Sequence, residues 1–297
     1  ERMNLTAAAT PPPVTGAIAV PEEKGSRLDR LKARRRTWLA IRGVREVILI
    51  AAIYTMYDMT RYLVAGDHDG AIRHGKTLLQ WEKNVGMEPE HWLNKVFSAH
   101  LALGLPADYI YATLHYIVTP VILVWMWRRH SDAYTWNRTI LAAATILGLV
   151  GFIFVPTAPP RLLAGFVDTM AKYSHDGWWS NAASAPRGLG ADTNQYAAFP
   201  SLHVGWALWC GWQMLRYGQH RITKALGVLY PTILSLDVMA TGNHYFFDVL
   251  AGVVVVLIAT GIVHVASWFG LLSPPGTGPA TPAEEAHAER EAQQASP

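Results

Sequence analysis

Charge is scarce in this sequence of 297 residues: Asp, Glu, Lys and Arg make up 16% of it. A soluble domain carries about 25%, so the usual composition of a water-facing surface is missing. There is a single cysteine, Cys210, which excludes an intrachain disulfide and a zinc site built on paired thiolates. No short apolar core with a small-residue cleavage site precedes the first long apolar run, so that run is expected to stay as an anchor. No internal repeat is visible. A secreted disulfide-stapled protein and a collagen-like one are excluded, and a soluble α/β enzyme is disfavoured.

Apolar residues make up 51% of the chain, with 12 Trp and 12 Tyr. A spanning helix needs about 20 mostly apolar residues. Windows of that size fall at roughly 44–65, 108–127, 138–156, 200–216, 222–242 and 244–269. The expected fold is therefore all-α, an integral membrane bundle of six helices. The first window is the least pure, because Asp58 and Arg61 interrupt it. The last two are separated only by Gly242-Asn243-His244, which predicts a tight helical hairpin.

Basic residues set the expected orientation. Nine Lys or Arg lie between Lys24 and Arg45, directly before the first window, so they read as a cytoplasmic flank rather than a nucleic-acid arm. Arg128, Arg129 and Arg138 flank the second-to-third connection, and Arg216, Arg221 and Lys224 the fourth-to-fifth. The connections 66–105 and 157–199 carry balanced charge. Both termini are then cytoplasmic, and those two connections face outward, as in a multi-pass plasma-membrane-type protein. Residues 1–37 read as a disordered, basic N-terminal segment, 38–272 as the membrane domain and 273–297 as a disordered tail. Segment 71–101 sets Leu78, Trp81, Trp92 and Phe97 among charges, which suits one or two extracytoplasmic interfacial helices or, equally, a cap packed on the bundle. Trp and Tyr near the span ends fit an interfacial belt and carry no oligomer signal.

The polar residues that meet the membrane carry the chemistry. Phe199-Pro200-Ser201-Leu202-His203 opens the fourth window. Pro200 suits the first helical position. The free N–H groups behind it, including those of Ser201 and Leu202, and the Ser201 hydroxyl would form an anion site suited to phosphate. His244 and Asp248 stand four residues apart and so on one helix face. A carboxylate on one imidazole nitrogen fixes the tautomer and leaves the other as nucleophile or base. Pro156-Thr157-Ala158-Pro159-Pro160-Arg161 follows the third window, and Arg161 offers a planar charged fork for phosphate oxygens. In the derived topology Arg161, His203, His244 and Asp248 converge at the outer face. Each alone has a bland alternative: a satisfied interfacial His, a structural His–Asp hydrogen bond, a snorkelling Arg. Their conjunction points to phosphate chemistry. Asp237, His115 and Cys210 are expected to be structural, while Asp58 and Arg61 could pair with each other or bind a headgroup.

Phe199-Pro200-Ser201-Leu202-His203 followed by His244-Tyr245-Phe246-Phe247-Asp248 resembles the type 2 phosphatidic acid phosphatase superfamily, closest to its branch containing inositol phosphorylceramide synthase. The resemblance spans about residues 150–255. It implies a metal-independent mechanism without a cofactor, in which His244 attacks phosphorus, His203 protonates the leaving oxygen and Asp248 supports His244. Water or a lipid alcohol resolves the phosphohistidine.

Three positions depart from the superfamily pattern. Phe154 stands where the phosphatases usually carry a Lys, Val238 where they carry an Arg, and Leu202 where they carry a Gly. A phosphomonoester bears about −1.5 to −2 charges at neutral pH, a diester only one. Fewer fixed cations therefore favour a diester, unless Lys172 or Arg187 of the outer loop supplies the missing charge. Arg187 is the favoured substitute, with a plain surface charge as its alternative role. The expected function is transfer of a phosphorylated, phosphoinositol-like headgroup between membrane lipids, with a lipid phosphate ester as donor and no nucleic acid involved. The alternatives are a lipid phosphate or polyprenyl diphosphate phosphatase, and a non-catalytic lipid-binding or transport protein.

Overall fold

A computed structural model describes residues 43–53, 55, 56, 59, 68–180, 183–186 and 195–276. The chain divides into two compact units, residues 1–50 and 51–297. In the first, residues 43–50 are helical. Of the 44–65 window, residues 44–53, 55, 56 and 59 are described and helical, while Asp58 and Arg61 lie outside the described residues, as do the segment 1–37 and nearly all of the tail.

The second unit is built from helices α1 (His68–Val85), α2 (Pro89–Ala99), α3 (Leu101–Arg129), α4 (Ser131–Phe154), α5 (Thr169–Lys172), α6 (Leu202–Tyr217), α7 (Arg221–Ala240) and α8 (Phe246–Trp268). A short antiparallel pairing of β1 (Trp179–Ser180) with β2 (Ala183–Pro186) lies in the long connection after α4. Among the described residues four helices, α3, α4, α7 and α8, are long and apolar enough to cross a membrane. That is the make-up of an integral membrane protein. Their exposed faces carry Ile117 and Val121, Ile146 and Val150, Leu229 and Ile233, Val254 and Leu257. Proline inside α3 and α7 (Pro106, Pro120, Pro231) is tolerated because packed neighbours compensate the lost backbone bond.

The fourth window differs from expectation. Helix α6 has 16 residues, about 24 Å at 1.5 Å per residue, against about 30 Å of hydrocarbon. It starts at Leu202 rather than Pro200, because Ser201 is the N-cap and its Oγ accepts the Val204 N–H at 3.4 Å. Pro200 precedes the cap, packed on Gly151 of α4. Helix α6 is central: it packs against α3, α4, α7 and α8. Its core residues Ala207, Trp209 and Cys210 are buried beside Leu234 and Ala259. The indole N–H groups of Trp206 and Trp209 are matched. Trp209 Nε1 donates to the Asn137 carbonyl at 2.9 Å and Trp206 Nε1 to Thr145 Oγ1 at 3.0 Å. Cys210 faces the core and not the lipid side, with its thiol 3.7 Å from Thr119 Oγ1.

Segment 71–101 folds as two helices, α1 and α2. Helix α1 packs against α8, and α2 against α3 and α7. Their outer faces expose Trp81, Val85 and Trp92. The inner face of α1 sits on the loop after α4: Ala158 N donates to the Ala71 carbonyl at 3.0 Å, and His74 Nδ1 donates to the Pro156 carbonyl at 2.7 Å.

The chain turns sharply between the last two helices, but they do not pack on each other as the predicted hairpin would: α7 lies against α2, α3 and α6, and α8 against α1, α4 and α6. The turn is at Gly242, whose φ of +72° is a left-handed conformation that L side chains avoid. A Cβ there would also lie 3.0 Å from Asn94 Nδ2 and 3.3 Å from Arg161 Cβ. The corner thus admits the chain bearing Arg161 at close range.

Candidate active site

Three segments far apart in sequence meet at one end of the helices: the loop after α4, the start of α6 and the corner between α7 and α8. The loop is tied at both ends. Thr157 N donates to the Tyr196 carbonyl at 2.7 Å and Ala198 N to the Thr157 carbonyl at 3.2 Å, which brings residues 196–198 beside residue 157. Arg161 N donates to the Gly242 carbonyl at 2.8 Å, pinning the same loop to the corner.

His244 is buried, with 3% of its surface exposed. Its Nδ1 lies 2.8 Å from the Ala198 carbonyl and 3.3 Å from Asp248 Oδ2. A carbonyl can only accept, so Nδ1 carries the proton and Nε2 keeps its lone pair. The sequence points to Asp248 for this task, but the backbone of residue 198 is the closer partner. Asp248 does a second job: Oδ2 accepts the Tyr245 N–H at 2.9 Å, capping α8 and holding the corner in shape. Tyr245 in turn donates its hydroxyl to the Ala158 carbonyl at 2.8 Å.

His203, in the first turn of α6, is half-buried. Its ring centroid is 5.7 Å from that of His244, with the planes inclined by 62°. Two imidazoles at that separation can flank one phosphorus centre, one attacking and the other serving the leaving oxygen. The Leu202 and His203 amides belong to the first turn, whose N–H groups have no intrahelical acceptor. The Leu202 side chain is buried on Gly148 of α4.

Arg161 is oriented by two partners. Nη1 donates to Asn243 Oδ1, and Nε lies 3.4 Å from Asp168 Oδ2. Asn243 is the neighbour of His244 in the corner, so the guanidinium is fixed within electrostatic reach of the imidazole. Asn243 Nδ2 donates to Thr241 Oγ1 at 2.9 Å, which sets the amide's orientation.

Beneath this end lies a second acidic group. Glu82 of α1 and Glu90 of α2 are both fully buried. Glu82 Oε1 accepts the Phe247 N–H of α8 at 2.6 Å. Burial pushes the Glu82 carboxyl up to about 9, and the neighbouring Glu90 adds to the shift. Glu90 is likewise raised by burial. Glu82 therefore holds its proton at neutral pH, which lets the two carboxyls share a dry pocket.

Of the residues singled out by sequence, Arg161, His203, His244 and Asp248 come together, while Ser201 serves as the α6 cap and is fully buried. Lys172 is turned to the Ser98 carbonyl at 2.6 Å. Arg187 lies outside the described residues. Asp237 is buried in α7 near Asp108, and its Oδ2 has no hydrogen-bond partner among the described residues. Sequence reasoning missed Ala198, Asn243, Asp168 and the two glutamates. Only Asn243, adjacent to His244, carried a readable signal.

Two further rings surround His203. Tyr111 stacks on it at 4.6 Å and His115 stands perpendicular to it at 4.4 Å, both from α3. Among the described residues no group of three or more His, Cys, Asp or Glu is arranged to hold a metal ion.

A family model described as the PAP2 superfamily matches residues 76–262, well over half of the chain and all of the segments just described. No curated protein and no solved structure matches.

Proposed function

The chain belongs to the PAP2 superfamily, and from that premise we propose that it is an integral membrane phosphotransferase that moves a phosphorylated headgroup between lipids through a phosphohistidine on His244. The observation that carries the reading is the commitment of His244 Nδ1 to Ala198 and Asp248, which leaves Nε2 free 5.7 Å ring-to-ring from His203. Nε2 forms a bond to phosphorus as the bond to the leaving lipid oxygen breaks, and His203 gives that oxygen a proton. An acceptor alcohol then attacks phosphorus, His203 takes its proton, and the N–P bond breaks. Arg161 and the α6 amides stabilise the charge that develops on the phosphoryl oxygens.

Charge supports a diester donor over a monoester. Val238 is wholly buried and Phe154 mostly exposed, so neither superfamily cation position supplies a charge. Arg161 shares its own charge with Asp168, and Lys172 is held at Ser98. A donor bearing one negative charge matches this site better than one bearing nearly two. The branch with inositol phosphorylceramide synthase fits that preference.

In this reading six segments cross the membrane and the motif end faces outward, as the basic flanks predict. The exposed Trp81 and Trp92 of α1 and α2 then lie at the outer interface.

Phosphorus NMR of the full chain with phosphatidylinositol and ceramide in EDTA, beside His244→Ala, tests the reading. A new phosphodiester signal that is absent in the variant is expected. Orthophosphate or inositol phosphate in its place would make the protein a hydrolase. Equal signals from both proteins would overturn His244 as nucleophile.

A further inference from the structure

His244 is oriented by hydrogen bonds to Ala198 and Asp248. His203 is not: among the described residues no hydrogen bond holds its ring. What touches it is α3. The Tyr111 ring lies nearly parallel to the His203 ring, with 4.6 Å between centroids and 26° between planes. The His115 ring, one helical turn further along the same face, stands at 77° to it with centroids 4.4 Å apart. His115 is itself 5% exposed and fixed by Tyr116 at 3.9 Å and Trp206 at 6.2 Å. Its Nδ1 is buried with no hydrogen-bond partner among the described residues.

Such packing has a consequence for chemistry. A free imidazole rotates about its side-chain bonds and samples orientations in which neither nitrogen meets the leaving oxygen. A stacked ring on one contact and a perpendicular ring on another restrict both torsions without occupying a ring nitrogen. An acid held by hydrogen bonds would have one nitrogen engaged; an acid held by rings keeps both available for the proton it gives and the proton it later takes.

We propose that His115 is a positioning residue for the leaving-group acid His203, acting through ring contact and not as a proton carrier itself. The inference rests on the role of His203 under Proposed function and adds a residue from outside the motifs to it. Its signature is selectivity for leaving group. A displaced imidazole fails where the leaving oxygen needs a proton and does little harm where it does not.

The test uses the full chain in detergent with two lipid-like diesters, didecyl phosphate and decyl 4-nitrophenyl phosphate. Decanol is a poor leaving group that needs an acid; nitrophenoxide is a good one. His115→Ala is expected to lower kcat/KM for the didecyl ester by at least about tenfold while the nitrophenyl ester loses about threefold or less. His203→Ala should show the same selectivity more strongly. The double variant should be no slower than His203→Ala alone, since His115 acts only through His203. His115→Gln, similar in volume but without a ring, should repeat the pattern if the alanine variant does not fold.

The failures separate. If wild-type protein turns over neither ester, or His203→Ala loses both equally, the reading of the site falls and this inference with it. If His203→Ala is selective but His115→Ala or Gln loses both esters equally, or adds to the loss in the double variant, the inference alone is overturned.

Discussion

Glu82 accepts a 2.6 Å hydrogen bond from the backbone N–H of Phe247, 165 residues further along the chain. A side chain of α1 thereby fills an acceptor vacancy in the first turn of α8, three residues after His244. The α1–α2 pair is therefore part of the scaffold that holds the corner bearing His244.

That contact gives stability a pH dependence. The Glu82 carboxyl is raised from 4.5 to about 9, first by burial and then by Glu90. A raised carboxyl binds its proton more tightly in the folded state than in the unfolded one. Its contribution is complete below 4.5 and is lost as pH rises through about 9. Thermal unfolding followed by Trp fluorescence should show Tm falling across that window. Glu82→Gln, which cannot ionise yet keeps the carbonyl for Phe247, should flatten the fall. Equal slopes for the two proteins would remove Glu82 from the account.

Asp248→Asn should slow the reaction, not abolish it. The Ala198 carbonyl, the closer partner of His244 Nδ1, still fixes the tautomer, and the amide oxygen can still accept the Tyr245 N–H. A kcat reduction of about 10- to 100-fold is expected, against loss of nearly all turnover in His244→Ala. Initial rates on the same lipid donor distinguish them. An inert Asp248→Asn protein with intact Tm would mean that the carboxylate charge itself is indispensable.

Arg161→Lys should behave almost like Arg161→Ala. The guanidinium bonds Asn243 through one nitrogen and meets Asp168 through another, which an ammonium cannot reproduce. Both variants should lose at least about tenfold in kcat/KM, with Asn243→Ala intermediate. Full activity in Arg161→Lys would show that charge alone suffices.

Gly242→Ala should destabilise the protein by about 1–2 kcal/mol, because φ is +72° at that corner. The added Cβ also crowds Asn94 Nδ2, whose amide joins the Val167 and Ala240 carbonyls at 2.9 and 3.1 Å. A denaturation midpoint unchanged from wild type would contradict this.

Much of the molecule can be located by reading residues in order. Long apolar runs mark α3, α4, α7 and α8 because lipid solvates side chains without regard to their partners. His244 and Asp248 read as one unit because helical spacing puts residues four apart on one face. Arg161 and His203 fall at the right end because the ends of apolar runs mark the membrane boundary. Helix α6 is harder, since a short, centrally packed helix takes its place from its neighbours and not from a full-length apolar run. The rest depends on which helix faces touch. The Ala198 carbonyl reaches His244 because residues 157 and 197 pair across the connection between α4 and α6. Glu82 meets Phe247 because α1 packs on α8, and His115 meets His203 because α3 packs on α6. Periodicity specifies a face within one helix; the partner of that face is chosen by the fit of side chains across the whole bundle, which no local stretch of sequence contains.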